Sequence, residues 1–155
     1  QVVILAAGMG TRMNSELPKV LHRLAGAPLL HHALKSGAPL SPGRTVVVAG
    51  HGADLVAKAA RDWDDTIEVV LQTEQLGTGH AVDQARAALA DTTGDVIVLY
   101  GDTPFIRPET LETMIAARTR ADVVVLGFSA ANPGRYGRLV TAGETLERIV
   151  EYKDA

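Results

Sequence analysis

Val2-Val3-Ile4-Leu5-Ala6-Ala7-Gly8-Met9-Gly10-Thr11-Arg12-Met13 is the stretch on which the fold of this chain turns. A short apolar run without polar alternation predicts a strand buried on both faces, as in the middle of a parallel sheet. Glycines directly after such a strand let backbone amides approach an anion without Cβ obstruction, and successive N–H groups form a nest for it. Arg12 adds a planar fork of donors matched to phosphate oxygens. Lys19, just past Pro18, adds a second cation. The dinucleotide fingerprint needs a third glycine where Met13 stands, and the P-loop needs a Gly-Lys-Ser/Thr close that is absent. The stretch reads as a phosphate loop of another kind. A plain strand-to-helix turn also accounts for the two glycines, but leaves Thr11, Arg12 and Lys19 without a role.

Outward from this loop the apolar run recurs. Thr45-Val46-Val47-Val48-Ala49, residues 67–71, residues 96–100 and Val123-Val124-Val125-Leu126 are predicted strands. Helical spacing fills the intervals. Residues 28–36, closing at Gly37, form one helix, and Leu55, Val56, Ala59 and Ala60 stripe a second. Val82, Ala85 and Leu89 stripe a third, with Thr78 as candidate N-cap. Leu111, Met114 and Ile115 share a face of a helix starting near Pro108, with Glu109 and Glu112 early and Arg118 late, complementing its dipole. Alternating strand and helix predicts an α/β class: a mostly parallel sheet with helices on both faces. Residues 138–141, the turn Ala142-Gly143-Glu144 and residues 146–151 predict a β-hairpin near the C-terminal end. Residues 38–43 read as a surface loop, and Trp63 with Asp62, Asp64 and Asp65 as a surface turn.

The 155 residues suit one domain with a real core, at 46% hydrophobic composition. A net charge of −3 gives no electrostatic footprint for nucleic acid. Cysteine is absent, which excludes disulfides, thiolate metal sites and a thiol nucleophile. No apolar run approaches the roughly 20 residues of a membrane helix, and the opening residues carry no basic signal-peptide region. None of the five histidines has metal-ligand spacing. His31 and His32 face different sides of any helix, and His22 and His80 read as packing or hydrogen-bonding residues within their motifs. No Gly-x-Ser-x-Gly elbow is present.

In a parallel sheet, ligands gather at the carboxyl ends of the strands. After the third run comes Gln72-Thr73-Glu74-Gln75-Leu76-Gly77-Thr78-Gly79-His80-Ala81. Gln72 carries an amide donor and acceptor suited to a pyrimidine edge; the alternative is a strand-end polar residue facing water. After the fourth run comes Tyr100-Gly101-Asp102-Thr103-Pro104, where Asp102 either holds Mg²⁺ or starts a turn. Late in the chain, Glu151 near Tyr136-Gly137-Arg138 suits sugar hydroxyls, with Lys153 beside it; an exposed ion pair is the simpler reading.

Leu5 to Met13, continuing to Pro18-Lys19-Val20-Leu21-His22, resembles the signature of sugar-nucleotide pyrophosphorylases. More closely it resembles the uridyltransferase domain of the bifunctional N-acetylglucosamine-1-phosphate uridyltransferase/glucosamine-1-phosphate acetyltransferases (the GlmU family), and the Gln72 to Ala81 block matches that family's uridine-recognition segment. Molybdenum-cofactor cytidylyl- and guanylyltransferases share the looser front part. The resemblance implies a Rossmann-like, GT-A-like three-layer nucleotidyltransferase fold. It implies attack of N-acetylglucosamine-1-phosphate on the α-phosphorus of UTP, giving UDP-N-acetylglucosamine and pyrophosphate for cell-wall precursor synthesis in the cytoplasm. Arg12 and Lys19 would act on the triphosphate as the catalytic cations. Leu5, Ala6, Ala7 and Gly8 would line the nucleotide, with Gln72, Gly77 and Thr78 reading the base and Tyr100 and Gly101 bordering the ribose. Asp102 would hold Mg²⁺, and Gly137 and Glu151 would contact the sugar. The family's second metal ligand, an asparagine, and its trimer-forming β-helix acetyltransferase domain are expected beyond Ala155. These residues alone are therefore expected to be an incomplete domain and a poor catalyst, with no nucleic-acid or membrane partner.

Overall fold

The computed structural model describes residues 1–8, 10 and 13–152, which fall into two compact units, Gln1–Ala116 and Ala117–Ala155. The first contains β1 (Val2–Ala6), β2 (Arg23–Leu24), β3 (Ala27–Pro28), α1 (Leu29–Gly37), β4 (Thr45–Ala49), α2 (Ala53–Trp63), β5 (Glu68–Leu71), α3 (Thr78–Gln84) and β6 (Ile97–Tyr100). The helix α4 (Pro108–Arg118) follows, then β7 (Arg138–Ala142) and β8 (Thr145–Val150) in the second unit.

The main sheet is four-stranded, in the order β5-β4-β1-β6, and every pairing in it is parallel. Ile4 stands opposite Val47 on one side and Leu99 on the other. This register sorts side chains into two layers of core. Val2, Ile4, Ala6, Val47, Ala49 and Leu99 face Leu30 and Leu34 of α1, Val56 and Ala60 of α2, and Leu111 of α4. Val3, Val46 and Val48 face the other way, against Ala81, Ala85 and Ala88. The second layer is built from alanines, so the α3 segment lies close to the sheet. Helices on both faces of a parallel sheet are the expected α/β architecture.

Burial on both faces holds for the central strands β1 and β4. It fails for the edge strands, where β5 and β6 keep exposed positions. The predicted strand at Val123 to Leu126 does not form: Val123 is 73% exposed and the segment has no ladder partner among the described residues. Apolar character supplies side chains for a sheet face but no neighbouring backbone to bond. Leu55 and Ile115 are likewise exposed, so only part of each predicted stripe enters the core. The third helix stops at Gln84 and gives way to a 3-10 turn, Ala87–Leu89. A two-stranded ribbon, β2 with β3, was not anticipated; Ala25 and Gly26, at φ of 49° and 84°, make its turn.

Trp63 ends α2 rather than sitting in a turn, its ring against His31 at 5.3 Å. His31 meets the Ala59 carbonyl, whereas His32 meets the Leu24 carbonyl, so the two do face different ways. Arg44, ahead of β4, grips Asp91 with both terminal guanidinium nitrogens, at 2.6 and 3.2 Å, and donates to the Ala88 carbonyl. The hydrogen bond from Arg44 holds the Asp91 carboxyl below its ordinary value. In the second unit β7 and β8 pair antiparallel, with a register shift between Val140 and Thr141 and Gly143 in the turn, which is the predicted hairpin. No described helix is long and apolar enough to cross a membrane.

Candidate active site

The chain adds β4 and β5 to one side of β1 and then crosses to place β6 on the other. That reversal opens a crevice between the carboxyl ends of β1 and β6, where sheets of this kind take ligands. Ala7 and Gly8 leave β1 there, and Gly101 and Asp102 leave β6. The Gly101 N–H donates to the Leu5 carbonyl at 2.9 Å, which extends the ladder by one bond and sets where Asp102 emerges.

Lys19 reaches the same crevice by another route. It opens a 3-10 turn whose Val20 and Leu21 are buried. Pro18, fully buried, lies so close to Gly52 that a Cβ added there would overlap its ring. On the loop side, a Cβ at Gly10 would come within 2.8 Å of the Lys19 Cβ. Between these contacts the lysine is directed at β6. Its Nζ lies 2.5 Å from Asp102 Oδ2, with the two side chains 36% and 32% exposed. Two residues 83 positions apart thus form one ion pair at the switch point. Arg12 and Lys153, both singled out from sequence, lie outside the described residues.

Asp102 fits a magnesium ion on its donor chemistry. Its carboxylate is a hard oxygen donor, partly open to solvent, and one oxygen already holds a cation. Among the described residues no group of three or more acidic or histidine side chains gathers around a metal position. Mg²⁺ does not demand one, since it is commonly bound through one or two carboxylates plus phosphates and waters.

At the end of β5 the Gln72 N–H continues the ladder to the Ala49 carbonyl at 2.8 Å. Its side chain does not face water: the residue is 4% exposed. The amide nitrogen donates to the Gly77 carbonyl at 3.2 Å and lies 3.1 Å from His80 Nδ1. The reading of His80 as a hydrogen-bonding residue of the motif is thus borne out. Thr78 is the first residue of α3 rather than its cap. Gly77 takes the cap position, and no side chain caps the helix.

Gly77 has φ 102° and ψ −178°, a region that essentially only glycine occupies. A Cβ there would meet nothing within 4 Å, so any penalty for a side chain is backbone strain alone. Gly77→Ala should therefore cost about 1–3 kcal/mol of stability in urea unfolding. A loss below a few tenths of a kcal/mol would show that the loop relaxes freely and does not hold Gln72.

In the second unit, a Cβ built on Gly137 would stand 3.7 Å from Glu151 Oε2, so these two predicted sugar contacts are neighbours across the hairpin. Tyr136 packs edge-on against Phe128 at 5.0 Å. Sequence reasoning singled out Gln72 and Asp102, but not the buried anchor at Pro18 and Gly52. Its only signal was a proline next to a cation and an unexplained Gly-x-Gly, Gly50-His51-Gly52, after β4.

The chain is 70% identical over 154 residues to the bifunctional protein GlmU of Cereibacter sphaeroides (strain ATCC 17025), covering 99% of this chain and 34% of that protein. It thus spans about a third of the length of the curated relatives it matches. Among solved structures, HddC from Yersinia pseudotuberculosis superposes with a TM-score of 0.79 at 24% identity, over 97% of this chain and 68% of that one. A putative glucose-1-phosphate thymidylyltransferase from Bacillus anthracis gives 0.74 at 21% identity, over 98% and 64%. Both likenesses concern the fold. The profile of the MobA-like NTP transferase domain matches residues 2–152, well past the front part to which the sequence motifs confined that kinship. With a match of that extent on a parallel sheet whose switch point carries a cation and a carboxylate, the chain belongs to the MobA-like NTP transferase domain family and is a nucleotidyltransferase.

Proposed function

We propose that this domain transfers a uridylyl group from UTP to N-acetylglucosamine-1-phosphate, releasing pyrophosphate. The observation that carries the reading is the Lys19–Asp102 pair at the switch point: a phosphate-binding cation beside a carboxylate able to hold a metal. The identity to GlmU proteins supports the choice of substrates.

In the reaction a phosphate oxygen of the sugar phosphate attacks the α-phosphorus, and the bond to the departing pyrophosphate breaks. No covalent intermediate is needed, so the work is positioning and charge neutralisation. Backbone groups of Leu5, Ala6, Ala7 and Gly8 line the nucleotide. Arg12 and Lys19 bind the triphosphate and offset the charge that develops on the leaving group. Gln72, Gly77 and Thr78 contact the base, Tyr100 and Gly101 border the ribose, and Gly137 and Glu151 contact the sugar. Asp102 would hold Mg²⁺, which would supply positive charge to offset that of the phosphates. On the same reading the full-length protein is a trimer built through its C-terminal part and works in the cytoplasm.

Pyrophosphate release by the full-length protein, measured across four nucleoside triphosphates and several sugar phosphates, tests this. UTP with N-acetylglucosamine-1-phosphate should exceed every other pair by about 10-fold or more. Equal rates with CTP or dTTP would make it a different nucleotidyltransferase, and no release with any pair would make it a binding module.

A further inference from the structure

We infer that His80 is a positioning residue for base selection: together with the Gly77 carbonyl it takes up both hydrogens of the Gln72 side-chain amide, leaving only the carbonyl oxygen for a nucleotide. The inference rests on the reading of Gln72 as the residue that faces the base.

The argument begins at Gly77. A backbone carbonyl can only accept, so the amide atom 3.2 Å from the Gly77 oxygen must be nitrogen. The second hydrogen of that nitrogen then meets His80 Nδ1 at 3.1 Å. This ring atom must offer a lone pair, which puts the imidazole proton on Nε2. With both donors held inside the protein, the oxygen is the only hydrogen-bonding group of the amide that remains.

Gln84 competes for the same ring. Its amide lies 3.1 Å from His80 Nε2 and 3.1 Å from the His80 carbonyl. A neutral imidazole accepts at one nitrogen only, so the two glutamines cannot both donate to it. Gln84 is half-buried and solvent satisfies whichever group it turns away, whereas Gln72, at 4% exposure, has no such outlet. An unsatisfied buried amide is the costlier arrangement. Gln72 therefore sets the tautomer, and Gln84 keeps its amide nitrogen on the His80 carbonyl and gives up the ring nitrogen.

An amide held in this sense accepts from a base that carries hydrogen on its ring nitrogen, as uracil does at N3. Cytosine presents a lone pair at that atom, and the fixed oxygen repels it. Without an acceptor at position 80 one amide hydrogen loses its partner, and the Gly77 carbonyl alone holds the amide against rotation. Discrimination by a buried group that would be left unpaired is the strong kind.

The test compares kcat/KM for UTP and CTP in the full-length protein. His80→Leu removes the acceptor, and His80→Asn restores one near the position of Nδ1. The UTP/CTP ratio should fall about 10-fold or more in His80→Leu and stay within about 3-fold of wild type in His80→Asn. In His80→Leu, kcat with UTP should fall less than the ratio. An unchanged ratio in His80→Leu, or an equal loss in His80→Asn, overturns the inference. Nitrogen NMR of the unsubstituted protein decides it even where a variant does not fold: the proton should sit on His80 Nε2, and a proton on Nδ1 overturns it. A wild type that fails to distinguish UTP from CTP removes the base reading and this inference together. A discriminating wild type with an indifferent His80→Leu removes this inference alone.

Discussion

Asp102→Asn should lower metal-dependent pyrophosphate release by about 10³-fold, roughly 4 kcal/mol of transition-state stabilisation. The substitution keeps the shape of the side chain and removes its charge. Two things are lost together: the hard anionic oxygen that suits Mg²⁺, and the counter-charge 2.5 Å from Lys19 Nζ. Both side chains are about a third exposed, so solvent screens the pair and its contribution to folding is small. Stability should accordingly change by less than about 1 kcal/mol. The measurement is a continuous pyrophosphate assay on the full-length protein beside a thermal melt of the same sample. Turnover within about 3-fold of the unsubstituted protein would take Asp102 out of the mechanism. A collapse of the melt would make its role structural.

Ile4→Ala should cost about 3–4 kcal/mol in urea unfolding, with an unchanged m-value. Ile4 is fully buried at the centre of β1, flanked by Val47 and Leu99 in the register and roofed by α1, α2 and α4. The core cluster it belongs to draws side chains from β1, β4, β6, α1, α2 and α4, so a shift of any one of them into the space would open a gap elsewhere. Against a total of about 5–15 kcal/mol for a domain, that loss is large. A cost under about 1 kcal/mol would mean that this layer collapses easily and that the packing around β1 is loose.

What could be read in advance follows from how many neighbours each segment requires. β1 and β4 are central, so burial on both faces wrote itself into continuous apolar runs. Val123 to Leu126 has the same composition and forms no strand, because a ladder depends on a backbone elsewhere that composition does not reveal. The hairpin of β7 and β8 was legible because its turn is local, at Ala142-Gly143-Glu144. The stripe through Leu89 overran α3, since the spacing continues into a 3-10 turn that also packs on the sheet.

The site divides the same way. Lys19 and Asp102 were each identified from local motifs, but their meeting depends on β6 lying beside β1, which no spacing encodes. Gln72 was identified as a base reader with water as the alternative surroundings. Its burial follows from Gly77, whose backbone turns the chain so that a carbonyl and an imidazole close over the amide.

Because Pro18 is wedged against Gly52, the freedom of Lys19 is lost when the chain folds and not when an anion arrives. Fixing one backbone residue costs roughly 1–2 kcal/mol, and here the corner between β4 and α2 absorbs it. An arriving phosphate has only the lysine side-chain torsions to settle. The cation is thus preorganised before the anion arrives.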